Sequence, residues 1–294
     1  MWLPLVMLLA AASKSDYAGA AACKSCHAPQ YEAQLKSEHA SALTRSKPEQ
    51  PGEWAFGSGL QAITFVSRAD NEYYLEHGES WYRELKTYAR TPGHTNTAGM
   101  RYRIFDPSAS ILRCFACHST GPVTLSKDEY IVPFELGVRC EDCHGPSAAH
   151  AANPDQSKAV NPARLSATGL NDLCGTCHRM PAAVGDTPDL RNPWNARHQP
   201  LTLAASRCFN ESKGRLSCTT CHAPHAPLER KRAIYDAACA KCHAAPRHKQ
   251  KVAGDSCVRC HMPGVKIPPG LVFANHRIAV FTAADPLTPI PTRR

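Results

Sequence analysis

Large aliphatic residues are sparse along this chain, Pro is frequent and mean hydropathy is negative, so apolar positions form few sustained patterns. The clearest pattern lies in residues 61–76. Gln61-Ala-Ile-Thr-Phe-Val-Ser67 reads as a strand, Arg68-Ala-Asp-Asn71 as a turn, and Glu72-Tyr-Tyr-Leu-Glu76 as a second strand, which predicts a small β-hairpin. Gly57-Ser-Gly59 just before it marks a tight backbone. Residues 29–45 predict a helix, with Tyr31, Leu35 and Ala42 at roughly helical spacing. Residues 1–12 form an apolar run ending in small residues, which predicts the h-region and cleavage site of a secretory signal, although a basic n-region is missing. The run is too short to span a bilayer, and a retained anchor is the alternative. No other segment of the sequence is a membrane candidate, so the mature chain is expected to carry no transmembrane span. After residue 113 short helices are expected, joined by Pro- and Gly-rich loops such as 145–168 and 181–200. The expected fold class is mainly α, with extensive irregular loops and the small β-hairpin.

The short helices are placed by a repeated pentad, Cys-x-x-Cys-His, which occurs seven times: Cys23, Cys26, His27; Cys114, Cys117, His118; Cys140, Cys143, His144; Cys174, Cys177, His178; Cys218, Cys221, His222; Cys239, Cys242, His243; and Cys257, Cys260, His261. This is the attachment spacing of c-type haem. Two thiols three residues apart add to the two vinyl groups on one porphyrin edge, and the adjacent imidazole reaches the iron as proximal ligand. Zinc ribbons also use paired Cys, but zinc does not require His after every pair. His is about one residue in twenty, so seven of seven by chance is on the order of one in a billion. A disulfide framework explains neither the paired spacing nor the histidines. The expected cofactors are seven covalently attached haem c groups.

Seven porphyrins change the composition argument. One haem for about every 42 residues supplies large apolar bodies for side chains to pack against, so a haem-filled core is expected. Ligation and folding are then coupled. The formal charge of +9 falls to about +2 with seven ferric haems and about −5 with seven ferrous ones, once propionates and iron are counted. The basic residues become propionate partners and solvated surface, and no nucleic-acid partner is expected. The first pentad stands 91 residues before the second, while later gaps run from 18 to 44. The expected division is 1–12 signal, 13–113 with one haem and the hairpin, and 114–294 with six haems, all in one haem-cored unit. The unequal gaps exclude a solenoid.

Eight further histidines remain for seven irons: His39, His77, His94, His150, His198, His225, His248 and His276. His77, beside Gly78 in the hairpin region, is read as exposed. Met100 is a weaker candidate ligand, and Met180 and Met262 follow pentads as packing residues. Cys208 is the odd cysteine. It is read as a small buried residue, against a ligand, redox thiol or crosslink as the sharper alternative.

Several blocks resemble the multihaem cytochromes related to cytochrome c554, whose haem packing is shared with hydroxylamine oxidoreductase. They are Tyr17 to Cys23 with Ser37-Glu-His39-Ala, Thr91-Pro-Gly-His94 before Cys114, and Gly137-Val-Arg-Cys140 through His150. Ser217 through Ala223-Pro-His225, and His261-Met-Pro with Phe273-Ala-Asn-His276, complete them. The resemblance implies His39, His94, His150, His225 and His276 as distal ligands. His198, in Arg197-His-Gln-Pro, and His248, which equally fits a surface role, complete the candidate set.

Two functions compete. Irons with two His ligands have no open position and exchange electrons at the haem edge, which predicts an exported, periplasmic or extracytoplasmic relay serving redox partner proteins such as a quinol dehydrogenase or other cytochromes. A multihaem oxidoreductase for a small nitrogen or sulfur compound needs one open iron. No Cys-x-x-Cys-Lys is present to mark one. If His77 and His248 are both surface residues, one iron lacks a sixth ligand, and Trp54, Tyr73, Tyr74, Trp81, Tyr82 and Arg83 are candidates to line its pocket. Otherwise that cluster packs around the first haem. A third reading makes the hairpin a protein-docking module.

Overall fold

Short strands dominate the stretch between the first two pentads. In the computed structural model, which describes residues 13–69, 73–92, 102–105, 110–180, 198–243 and 256–291 with the single positions 189, 192, 195 and 248, they form one antiparallel sheet. Strands β1 (Leu43–Arg45), β2 (Trp54–Phe56), β3 (Ala62–Ala69), β4 (Tyr73–His77) and β7 (Tyr102–Phe105) follow in order. β5 (Glu79–Tyr82) pairs with β3 and carries β6 (Thr87–Arg90). The expected hairpin is β3–β4, with register from Val66↔Glu76 to Ala69↔Tyr73. It is not a small isolated hairpin, however, but the middle of a sheet of seven strands among the described residues. The added strands are three to four residues long, too short to display an alternation of their own.

The expected helix over 29–45 is shorter in the structure. Helix α1 (Ala20–Cys23) leads into α2 (Ala28–Leu35), and the chain then turns into β1. Ser37 ends α2 locally: its hydroxyl donates to the Gln34 carbonyl at 2.6 Å and accepts from the Ala40 amide at 3.3 Å, the competition with helical bonding that Ser is known for. A long-range contact then fixes the turn. The Val138 amide donates to the His39 carbonyl at 2.8 Å, and Gln34 Nε2 donates to the Val138 carbonyl at 2.6 Å. Gly137 is required there, because it sits at φ +76° and a Cβ would come within 2.1 Å of the Ala40 carbonyl oxygen.

Two more hairpins correct the mainly-α expectation. β8 (Ser119–Leu125) pairs with β9 (Ile131–Leu136) across a bulge, and β10 (Gly264–Ile267) pairs with β11 (Leu271–Ala274). The remaining described helices are short: α3 (Ser110–His118), α4 (Cys140–His144), α5 (Ala148–Ala152), α6 (Ala167–His178), α7 (Gln199–Leu203), α8 (Arg207–Glu211), α9 (Arg232–Ala240) and α10 (Cys257–His261). The expected loop 145–168 contains α5, and most of the loop 181–200 lies outside the described residues. The run 1–12 also lies outside them. No described helix is long and apolar enough to cross a membrane.

Protein–protein packing is concentrated against the sheets. Phe115 of α3 is fully buried and meets Trp54 and Phe56 edge-on, at 5.1 and 5.0 Å between centroids. Leu43, Val66, Tyr74, Ile111 and Ile131 close this cluster, which draws residues from both sides of position 113. The Tyr74 hydroxyl accepts from the Ile131 amide at 2.7 Å. A second cluster sets Tyr82 against Val265, Ile267 and Leu271. Gln61 holds that hairpin in place through both amide atoms, to the Val272 carbonyl and amide. Between residues 132 and 264, among the described residues, Leu201 is the one fully buried apolar side chain. That stretch carries five of the seven pentads.

Candidate haem centres

Each pentad begins in a helical or 3-10 turn. The His27, His222 and His243 amides donate to the carbonyl of the Cys four residues earlier at 2.9–3.0 Å. Pentads two, three, four and seven lie wholly within helices, at the ends of α3 and α6 and as α4 and α10. Positions i, i+3 and i+4 share one helical face, so both cysteines and the histidine point the same way, as one porphyrin edge and its iron demand.

Five pentad histidines stand opposite a second imidazole. The pairs are His27 with His150 at 6.5 Å between ring centroids, His178 with His39 at 6.1 Å, and His144 with His225 at 6.0 Å. His222 faces His276 at 6.2 Å and His261 faces His248 at 6.3 Å. A metal–imidazole bond is about 2 Å, and the ring centre lies roughly 1 Å behind the bonding nitrogen. Two imidazoles on opposite sides of one iron are therefore about 6 Å apart, which is the spacing observed. In every pair one ring follows a Cys-x-x-Cys and the other does not.

Hydrogen bonding sets the tautomers. The Nδ1 atoms of His118, His144 and His261 lie 2.8–2.9 Å from the carbonyls of Ala42, Val160 and Ala279. Those of His150 and His276 lie 2.9 Å from the carbonyls of Ser157 and Ala274. A carbonyl cannot donate, so Nδ1 carries the proton and Nε2 keeps its lone pair for a metal. Burial pushes His39, His222, His225 and His276 below the ordinary imidazole range, which keeps those rings neutral. Among the described residues no three His, Cys, Asp or Glu side chains converge as a bare ion would need. The donors come as facing imidazoles beside paired thiols, and these fit haem c. Haem held there by the paired thiols and imidazoles would supply reversible one-electron chemistry.

The other predicted ligands are placed differently. His118 packs against Phe56 at 5.3 Å, and His94 lies outside the described residues. His198 is partly buried at the start of α7. His243 is exposed. His77 is not exposed as expected but 8% accessible, with Nε2 hydrogen-bonded to the Ser67 hydroxyl at 2.7 Å. It lies at the end of β4 under Gly52, whose Cβ, if present, would come within 3.1 Å of that nitrogen. The aromatic group around Trp54 does not pack on the first pentad. Trp54 and Tyr74 pack on Phe115 inside the second, because the sheet lies against α3, and Tyr82 packs on the β10–β11 hairpin. Tyr73, counted in that group, is 48% exposed. Cys208 is half-buried.

Three buried or partly buried side chains, unremarked in the sequence, clip pentads together. Glu141, inside the third pentad, accepts from the amides of Ala18 and Gly19 just before the first, at 2.9 and 2.8 Å, and from Ser147 at 2.8 Å. Asn171 of α6 accepts from the Cys218 amide at 2.9 Å and donates to the Leu216 carbonyl at 3.1 Å, joining the fourth pentad to the fifth. Asp236 of α9 accepts from the Ser256 hydroxyl and the Val258 amide at 2.9 and 3.1 Å, joining the sixth to the seventh. Asn171→Leu keeps the branched outline but leaves the Cys218 amide and Leu216 carbonyl without these partners, so it is expected to cost about 1–3 kcal/mol. Thermal unfolding of the holoprotein measures this; an unchanged midpoint would show that the clip does not matter.

The thiols of different pentads also meet. Cys23 lies near Cys140, Cys117 near Cys177, and Cys218 near Cys174. Burial, with neighbouring thiols and acids, pushes Cys23, Cys143 and Cys239 up to about 11, so these sulfurs stay neutral rather than becoming thiolates.

Known multihaem cytochromes resemble this chain. A family model described as cytochrome c554 and c-prime matches residues 22–73 and 71–145. The C-type polyheme cytochrome OmcB of Geobacter sulfurreducens is 26% identical over 169 residues, covering 52% of this chain and 19% of OmcB. The chain thus spans about a fifth of that relative's length. The crystal structure of the outer cell wall cytochrome OcwA superposes with a TM-score of 0.60 at 17% identity, over 90% of this chain and 80% of that one. An undecaheme cytochrome from the S-layer of Carboxydothermus ferrireducens gives 0.52 at 16%, over 92% and 53%. These two likenesses show a shared fold.

Proposed function

We infer that this multihaem c-type cytochrome, which resembles the cytochrome c554 family, relays electrons outside the cytoplasmic membrane through seven covalently attached haems, most of them held between two histidines. The observation that carries this reading is the set of five facing imidazole pairs. Each pair of imidazoles would hold one iron and leave substrate no place to bind there. Ligation is the same before and after electron transfer, so the surrounding protein moves little. The carbonyls that hold Nδ1–H fix ring orientation and strengthen the ligands.

Export follows from the chemistry of attachment, and the outer-cell-wall and S-layer positions of the two structural relatives support it. The partners are then redox proteins, a quinol dehydrogenase or other cytochromes. A second reading, an enzyme with one open haem, is favoured by one observation only. His243 of the sixth pentad is exposed and has no second imidazole facing it among the described residues.

Carbon monoxide distinguishes the two. The pairs close the irons of pentads one, three, four, five and seven. After dithionite reduction, with total haem quantified on the same sample, the carbon monoxide-sensitive share of the Soret band is expected to be at most two of seven haems. A larger share would overturn the pairings. A share of one or two would direct the search for a substrate to pentads two and six.

A further inference from the structure

We propose that the surface built by residues 228–243, around the sixth pentad, is where an acidic redox protein docks to exchange electrons with this chain. The proposal rests on the relay reading and adds to it a port and the charge of the partner that uses it.

The first observation is an imbalance of charge along the chain. Residues 228–260, which carry pentads six and seven, hold eight Lys and Arg against three Asp and Glu. They supply five of the nine net positive charges in about a ninth of the length. With two haems this stretch keeps about +3 when ferric and about +1 when ferrous, counting propionates and iron. The rest of the chain, with five haems, falls to about −1 and about −6. One stretch therefore stays positive in both redox states while the whole chain changes sign.

The second observation is how α9 displays this charge. Lys231, Ile234 and Lys241 fall at i, i+3 and i+10 along the helix and its caps, so they share one face. Ile234 is 52% exposed, and Leu228 in the preceding loop is 42% exposed. Arg230, Lys231, Arg232 and Lys241 are all exposed, and none is ion-paired among the described residues. The two propionates of one haem can engage two of these four cations and leave the others to a partner. The nearby acids are held by backbone. Glu229 accepts from the amides of Arg230 and Lys231 at 2.7 and 2.8 Å, and Glu38 accepts from the Leu228 amide at 2.8 Å. Asp236 is held by Ser256 and Val258. The Tyr235 hydroxyl donates to the Glu229 carbonyl at 2.6 Å, which fixes the loop on the helix.

The third observation is where the sixth pentad lies. Cys239 is part of α9, and Cys242 and His243, which follow it, are exposed. Long-range attraction to the cations gathers an acidic partner, and contact with the apolar side chains brings its cofactor against the haem edge. A lipid surface asks for a broader apolar face than two aliphatic side chains offer.

The test uses the holoprotein with photoreduced flavodoxin, a small acidic electron carrier, and photoreduced lumiflavin as the uncharged comparison. Haem reduction by flavodoxin is expected to slow about tenfold or more between about 0.01 M and about 1 M salt, as the Debye length falls from about 30 Å to about 3 Å. Combining Arg230→Glu, Lys231→Glu and Lys241→Glu should slow it about as much at low salt and leave the lumiflavin rate unchanged. Reversing Lys14, Lys47 and Lys127, exposed cations on other elements, changes net charge equally and should slow flavodoxin far less. Equal slowing by the two triple variants would reduce the effect to net charge and overturn the site. An unchanged flavodoxin rate in the first variant would overturn it too, and capture of the parent but not that variant by phosphatidylglycerol vesicles would then assign the surface to a membrane. Failure of lumiflavin to reduce the parent would instead overturn the relay reading, and this one with it, so the two failures are told apart.

Discussion

Produced without haem attachment, the chain is expected to keep its sheet and to lose the order of residues 138–261. Ordering one residue costs roughly 1–2 kcal/mol of backbone entropy, and burial of apolar surface must offset it. In the sheet region it does: Trp54, Phe56, Phe65, Tyr74, Tyr82, Ile111, Phe115 and Ile131 are all buried. In the stretch that carries pentads three to seven, among the described residues, Leu201 is the one large aliphatic or aromatic side chain that is buried. The described helices there run from 5 to 12 residues, and isolated helices below about 12–15 residues are marginal in water. Haem is expected to supply the missing apolar surface. Limited proteolysis and amide exchange on protein made without the attachment machinery measure this. Slow exchange in α6 or α9 of that protein would refute it.

The covalent chemistry of this protein was legible in its sequence, because two thiols and an imidazole on one helical face need only five consecutive residues. The facing imidazoles were legible as a supply of histidines, but not as pairs. His27 meets His150 and His39 meets His178 across more than a hundred residues of chain, and no local pattern encodes that. Glu141 was hidden for a different reason. It occupies a variable position inside a pentad, where it reads as a spacer, yet its carboxylate holds three amides. His77 was misjudged from its polar neighbours and Gly78. Both faces of β3 are covered, Val66 toward α3 and Phe65 toward His77 and Tyr88, so a polar residue on the next strand is buried with them. β9 was missed because Pro133 lies within it, and Pro argues against a strand except at an edge. In a two-stranded sheet both strands are edges.

Replacing His276 with Ala is expected to open one iron, that of the fifth pentad. His276 faces His222 at 6.2 Å, and its Nδ1–H is held by the Ala274 carbonyl. Ala would remove the proposed second ligand and leave His222 intact. One haem should become high spin and bind carbon monoxide beyond the wild-type amount; a wholly low-spin spectrum would show that another group ligates that iron. The same ring makes a second, independent prediction. Burial, and then the His222 and His178 rings, push His276 down to about 4, with the Ala274 hydrogen bond opposing. The unfolded ring keeps its ordinary value near 6.5. As pH falls below about 6.5 the unfolded chain takes up a proton that the folded ring refuses. Stability from this ring is thus present above about 6.5 and lost as pH falls toward 4, and iron ligation to the neutral ring acts in the same direction. Unfolding midpoints measured across that window should fall less steeply in His276→Ala than in the parent. Parallel curves would mean that the ring is protonated in the folded protein already and does not bind iron.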